Sequence, residues 1–205
     1  MVKEGYYFGV PPFLLGILAI ALHWPILGAL LIAFGLFCFS FFRDPDRAIP
    51  DDPGAIVSPA DGRVVVITDE PNAGRPGTRI SIFLNVFDVH VNRAPITGKI
   101  IHYRYNPGKK LAAMVEKSST ENEQNLIVMQ DARGGTLAFK QIAGLLARRI
   151  VFDKKEGDEV GRGERVGMIK FGSRVDIFFP ANAKIRVAMR DKVKVALTVI
   201  AELPE

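Results

Sequence analysis

The hydrophobic positions divide the chain in two. Residues 8–42 contain no Asp, Glu, Lys or Arg, and apolar residues follow one another there without a polar face. A helix that is apolar all round belongs in a core or a bilayer. As a single helix the run would be about 50 Å long, more than one upright crossing requires. His23-Trp24-Pro25 interrupts it: proline does not continue a helix without a kink, and tryptophan suits a bilayer interface. The pattern predicts two helices, Pro12–Leu22 and Ile26–Phe42, folded as a tight membrane hairpin with both ends on one side. A cleaved signal peptide is the rival reading. It needs a small-residue cleavage site, and here the apolar run continues into FFRDPDR instead.

Residues 44–54 follow as a linker rich in proline and aspartate. From Ala55 onward short β-branched or alternating runs are separated by turn residues, which predicts a mostly β domain over 55–205. The expected strands are 55–57, 63–68, 79–85, 98–105, 126–130, 135–141, 150–153, 165–170, 174–179, 184–189 and 193–201. Residues 112–118 and 145–149 read as short helical turns, and 87–95 as a polar turn region.

Charge supports the membrane reading. The net charge is +5 and the pI about 9.4, with Lys and Arg spread among acids. That suits an anionic membrane surface better than nucleic acid. Lys3, Arg43 and Arg47 flank the apolar run, so the positive-inside rule places the 55–205 domain in the cytoplasm. Cys38 is the only cysteine, and the three histidines, His23, His90 and His102, lack ligand spacing, so no metal site is expected.

Four stretches carry candidate chemistry. Gly172-Ser173, between two predicted strands, offers an accessible serine beside a residue with no side chain; alone it is a common turn dipeptide. Asp61, in Ser58-Pro-Ala-Asp-Gly62, is either a turn former or an acid that orients a histidine. His90, in Phe87-Asp-Val-His-Val-Asn-Arg-Ala-Pro95, is either a satisfied, partly buried histidine or a general base. An acid, a base and a serine from separate stretches can together activate a nucleophile. Lys170, flanked by apolar residues near a glycine-rich hairpin, suggests instead a biotinyl- or lipoyl-type carrier. A non-catalytic membrane scaffold is the blander alternative.

SPADG at 58–62, DVHVNRAP at 88–95, ENEQN at 121–125, QIAGLLARRI at 141–150 and GERVGMIKFGSRVD at 163–176 occur in an order that resembles the phosphatidylserine decarboxylases, in their short prokaryotic type. The likeness extends to the apolar N-terminus and the RDPDR linker. It implies a barrel-sandwich-hybrid-like β domain and a proenzyme that cleaves itself between Gly172 and Ser173. The products would be a β chain, 1–172, and an α chain, 173–205, whose first residue becomes a pyruvoyl cofactor. That group forms a Schiff base with phosphatidylserine, CO₂ leaves, and phosphatidylethanolamine is released. An archaeal ether lipid with the same head group, archaetidylserine, fits the motif equally. The resemblance assigns Ser173 as nucleophile, Asp61 as processing acid and His90 as the motif histidine. Longer members carry DYHRxHxP, with a second histidine where this chain has Arg93, so His90 is expected to serve both processing and protonation. FGSR stands where those members have LGST. Arg93, Arg148, Arg149 and Lys170 are unranked candidates for the lipid phosphate, Arg174 is a candidate for head-group contact, and homo-oligomerisation stays open.

Overall fold

The computed structural model describes residues 1–203 apart from 73–74, 110, 116, 145–149 and 171–172. The chain forms two compact units, Met1–Asp46 and Arg47–Glu205.

The first unit is a pair of apolar helices, α1 (Lys3–Ala21) and α2 (Pro25–Phe41). α1 begins nine residues before the expected Pro12 and runs through Pro11 and Pro12. Two intrahelical donors are lost there. Close packing on α2 compensates: a Cβ on Gly16 would lie 2.8 Å from the Gly28 carbonyl oxygen, and one on Gly28 would lie 2.6 Å from that of Gly16. Only residues without a side chain permit that approach. His23, at φ 65°, makes the turn, and Val2 N–H donates to Phe42 O at 3.1 Å, so the two ends meet. α1, 19 residues long, is long and apolar enough to cross a membrane by length and composition; α2, at 17, is shorter.

The second unit is mostly β. Its strands are β1 (Ala55–Val57), β2 (Gly62–Asp69), β3 (Gly77–Leu84), β4 (Val91–Arg93), β5 (Gly98–Asn106), β6 (Gln124–Gln130) and β7 (Thr136–Ala143), with a short helix α3 (Ser118–Glu121) before β6. There follow β8 (Ile150–Phe152), β9 (Glu159–Val160), β10 (Arg165–Ile169), β11 (Ser173–Pro180), β12 (Lys184–Ile185), β13 (Lys192–Val193) and β14 (Val199–Glu202). An eight-stranded sheet has the order β13-β2-β3-β11-β7-β6-β5-β9, and two three-stranded sheets have the orders β4-β10-β8 and β1-β14-β12. The pairings between the named strands are antiparallel, which the short connections between strands allow. Alternation along β3, β7 and β11 sends Ile80, Ile82, Leu84, Leu137, Phe139, Val175, Ile177 and Phe179 into one core with Ala94, Val166 and Ile169 of the smaller sheet's segments.

Three departures from the expected elements have local causes. The polar stretch at 87–95 contains a strand, β4, because its Asn92 finds buried partners. The single strand expected at 193–201 is broken by a turn in which Ala196 sits at φ 60° and Lys194 N–H bonds Thr198 Oγ1 at 2.9 Å. The helical turn expected at 112–118 lies later, at α3. The one expected at 145–149, with Arg148 and Arg149, falls outside the described residues.

Candidate active site

In chain order Ser173 follows β10 of the β4-β10-β8 sheet and is the first residue of the eight-stranded sheet's β11. Gly172 is outside the described residues, and Ser173 opens β11. Ser173 pairs with Leu84 on β3 and Ala143 on β7. Residues directly opposite in an antiparallel pair share a face, so Ser173 faces the core with Val175 and Ile177. Its exposure is 0 %, and among the described residues its Oγ has no hydrogen-bond partner. The expected accessible serine is therefore buried, because β3 and β7 flank β11 on both sides. A buried hydroxyl left unsatisfied costs about 1–3 kcal/mol, so its retention calls for a reason other than packing.

His90 is also fully buried. A tight turn after β3 sets it: Asp88 N–H donates to Asn85 O at 2.9 Å, and Asn85 N–H to Asp88 Oδ2 at 2.8 Å. Asp88 then presents its carbonyl to His90 Nδ1 at 3.0 Å. A nitrogen facing a carbonyl carries a proton, so Nδ1 is the donor in this bond. The His90 carbonyl accepts from Ile169 N–H at 3.2 Å, which ties His90 to the end of β10, four residues before Ser173.

Asp61 is placed differently from expectation. Its carboxylate receives a two-pronged contact from Arg47, at 2.9 and 3.0 Å, and the Val195 N–H at 2.7 Å. Those bonds occupy both oxygens, and the direct Asp61–imidazole contact expected for an orienting acid is not formed. Arg47, read as a membrane-flanking charge, belongs to this ion pair. Arg93 lies on the opposite side of β4 from Asn92, and its Nη1 donates to Gly163 O at 2.9 Å. Arg174 has zero exposure, which excludes it from a solvent-side head-group contact. Lys170 is partly buried just after β10.

A run of buried amides, unremarked from sequence, joins the remaining motifs. Tyr103 OH donates to Asn125 Oδ1 at 3.4 Å, Asn125 Nδ2 to Gln141 Oε1 at 3.2 Å, Gln141 Nε2 to Asn92 Oδ1 at 2.9 Å, and Asn92 Nδ2 to Pro59 O at 3.3 Å. Burial pushes the Tyr103 phenol above its ordinary range, so it remains a donor. Every amide in the run gives and receives in one sense, and in the interior such bonds reinforce one another. Gln141 lies opposite Val175, hence diagonal to Ser173 on the core face. The signal was present in the sequence, as polar residues at inward positions of apolar strands. A cavity of about 770 Å³ lined by Gly98, Lys99, Gln130 and Glu159 lies at the other end of these strands. Six residues along β6 separate Gln124, near Ser173, from Gln130, about 20 Å.

These positions can be set against known proteins. The sequence model of the family described as phosphatidylserine decarboxylase matches residues 34–201. A phosphatidylserine decarboxylase proenzyme of Solidesulfovibrio magneticus is 46 % identical over 95 % of this chain and 94 % of its own length. Proenzymes of that name from Cupriavidus pinatubonensis and Solibacter usitatus are 45 % and 48 % identical, over 100 % and 98 % of this chain and 96 % of their own lengths. Likeness of this extent replaces the carrier-module and scaffold readings with that of an enzyme. The chain belongs to the phosphatidylserine decarboxylase family.

Proposed function

We propose that this chain converts phosphatidylserine to phosphatidylethanolamine with a pyruvoyl group formed by self-cleavage between Gly172 and Ser173. The observation that carries the reading is the buried Ser173 Oγ, which has no hydrogen-bond partner among the described residues, at the start of β11. The group fits the residues present, since all its carbon atoms are those of residue 173, whose backbone is held between β3 and β7. When present it supplies a ketone that engages the substrate amine and withdraws electrons from the bond to CO₂.

The chain's own residues account for the processing. His90 Nε2 takes the Ser173 hydroxyl proton, and Oγ adds to the Gly172 carbonyl carbon. The C–N bond breaks and the residue 173 nitrogen gains a proton, which leaves an ester. Loss of the Ser173 α-proton expels the Gly172 carboxylate and leaves dehydroalanine at 173. Water then replaces nitrogen, ammonia departs and the ketone remains. Chains 1–172 and 173–205 result. His90 also protonates the product carbon. Asp61 is a positioning residue: it fixes Arg47 and Val195 around the 58–62 turn, against which Asn92 is anchored. Residues 55–205 form the barrel-sandwich-hybrid-like catalytic domain, 44–54 a linker and 1–43 the membrane anchor. Lys3 and Arg43 at the two ends of the helix pair favour a cytoplasmic domain.

Denaturing mass spectrometry of the purified protein tests this. Two chains that meet at Gly172/Ser173, the smaller with a pyruvoyl end, are expected; one uncut, unmodified chain overturns the reading. The anchor has its own test. Removal of residues 1–43 retains Arg47 and hence the Asp61 ion pair, so the truncated chain should still cleave. It should also be recovered free of membranes after a high-salt wash, since salt screens the residual basic attraction. Full retention on membranes under those conditions rejects the helix pair as the sole anchor.

A further inference from the structure

Arg174 and Asp176 lie on the face of β11 opposite Ser173, and both are fully buried. Arg174 Nε donates to Asp176 Oδ1 at 2.6 Å, and its Nη2 donates to Ser81 Oγ at 2.7 Å. Ser81 Oγ also accepts from Arg79 Nη1 at 2.7 Å, and that nitrogen lies 3.4 Å from Asp176 Oδ2. Ser119 of α3 donates to the same Oδ2 at 2.6 Å. Asp176 thus binds its own strand, its neighbour β3 and α3 together.

Two charges have been withdrawn from water beside the residue at which the chain is cut. Against apolar side chains of equal size, a buried pair adds little net stability, but separating its members is costly. Its specific consequence here is register. A one-residue slip of β11 would turn Arg174 and Asp176 into the core face and bring Val175 and Ile177 out. A two-residue slip would keep the face but carry Asp176 about 7 Å along the strand, away from Ser119.

We infer that the Arg174–Asp176 pair is a clamp that holds residue 173 in position once it has become a chain end; this rests on the cleavage proposed above. In the uncut chain, residue 173 is tethered on both sides, through β10 and through β11. After cleavage the β10 tether is gone. The new end retains its pairings with Leu84 and Ala143, and free strand ends open locally. A charge pair one and three residues inward, which cannot move without losing its partners, keeps that end seated. Arg174 and Asp176 act through residue 173 and are positioning residues.

The test compares amide hydrogen exchange at residues 175–177 in cut and uncut full-length protein, the uncut form being supplied by Ser173→Ala. Wild-type side chains should protect these amides in both forms. With Arg174→Met and Asp176→Asn together, which fill similar volume and leave no carboxylate stripped of its partner, the uncut form should keep its protection. The cut form should exchange at least about tenfold faster. Its turnover per pyruvoyl group should fall by between about tenfold and 10²-fold in kcat, with KM within about twofold, as expected for a misplaced reacting group. If that double variant does not accumulate, Arg174→Lys keeps the charge without the fork and should show the same asymmetry at smaller size. Equal loss in both forms, or no loss in the cut form, overturns the clamp alone. A wild-type chain that is never cut removes both the clamp and the proposed function.

Discussion

Replacing Ser173 with alanine should leave the 205-residue chain whole and take decarboxylation to background. The argument rests on which atom is removed. Ser173 Oγ makes no hydrogen bond with any described residue and lies in the core. Deleting a buried hydroxyl that lacks a partner removes an unpaid desolvation cost and leaves no other polar group stranded. Ser173→Ala should therefore fold at least as well as wild type, and lost activity is not explained by unfolding. Ser173→Cys should still cleave, through a thioester, but slowly, because the bulkier sulfur sits between Leu84 and Ala143 in a space shaped for oxygen. Intact-mass spectrometry and CO₂ release measured together decide the matter. Normal cleavage of Ser173→Ala would sink the mechanism.

The β character of the second unit was legible because inward positions alternate with outward ones, and Ile80, Ile82 and Leu84 illustrate the rule. β11 breaks it. Both of its faces are buried, and its outer face holds Arg174, named from sequence as a candidate for head-group contact, and Asp176. Their burial depends on Ser81, Arg79 and Ser119, whose bonds to them span 57 to 97 residues of the chain, and no local pattern contains that information. The same limit explains Arg47. Beside an apolar run it looks like a membrane-flanking charge, and only the fold brings Asp61 to it. Ser173, His90 and Asp61 were named from their motifs, whereas the amides between them were not. Asn92, Asn125 and Gln141 have no special local spacing, and their connection exists only when β4, β6 and β7 are assembled.

Changing His90 to alanine should slow self-cleavage by about 10²–10⁴-fold, the usual contribution of a positioned proton-transfer group. The other two histidines are unsuited to the task. His23 makes the turn between α1 and α2, and the His102 side chain, half exposed on β5, lies 3.1 Å from Glu156. His90 alone is buried and joined to the strand that leads into Ser173, through its carbonyl and Ile169 N–H. The alanine variant also removes a packed ring, so a second substitution separates shape from chemistry. His90→Asn places an amide N–H where Nδ1–H meets the Asp88 carbonyl, but offers no basic nitrogen. It should keep the Asn85–Asp88 turn and still fail to cleave. Asp61→Asn should behave differently, since Asp61 bonds Arg47 and Val195 rather than the ring. That change should loosen the 58–62 turn and lower the yield of folded protein, while the pH dependence of cleavage in the folded fraction stays that of wild type. The decisive experiment follows the cleaved fraction with time across pH and scores turnover per pyruvoyl group in whatever matures. Wild-type cleavage by His90→Asn would mean that the proton leaves Ser173 by another route. A shifted pH profile in Asp61→Asn would restore Asp61 to direct partnership with the imidazole, against the geometry described above.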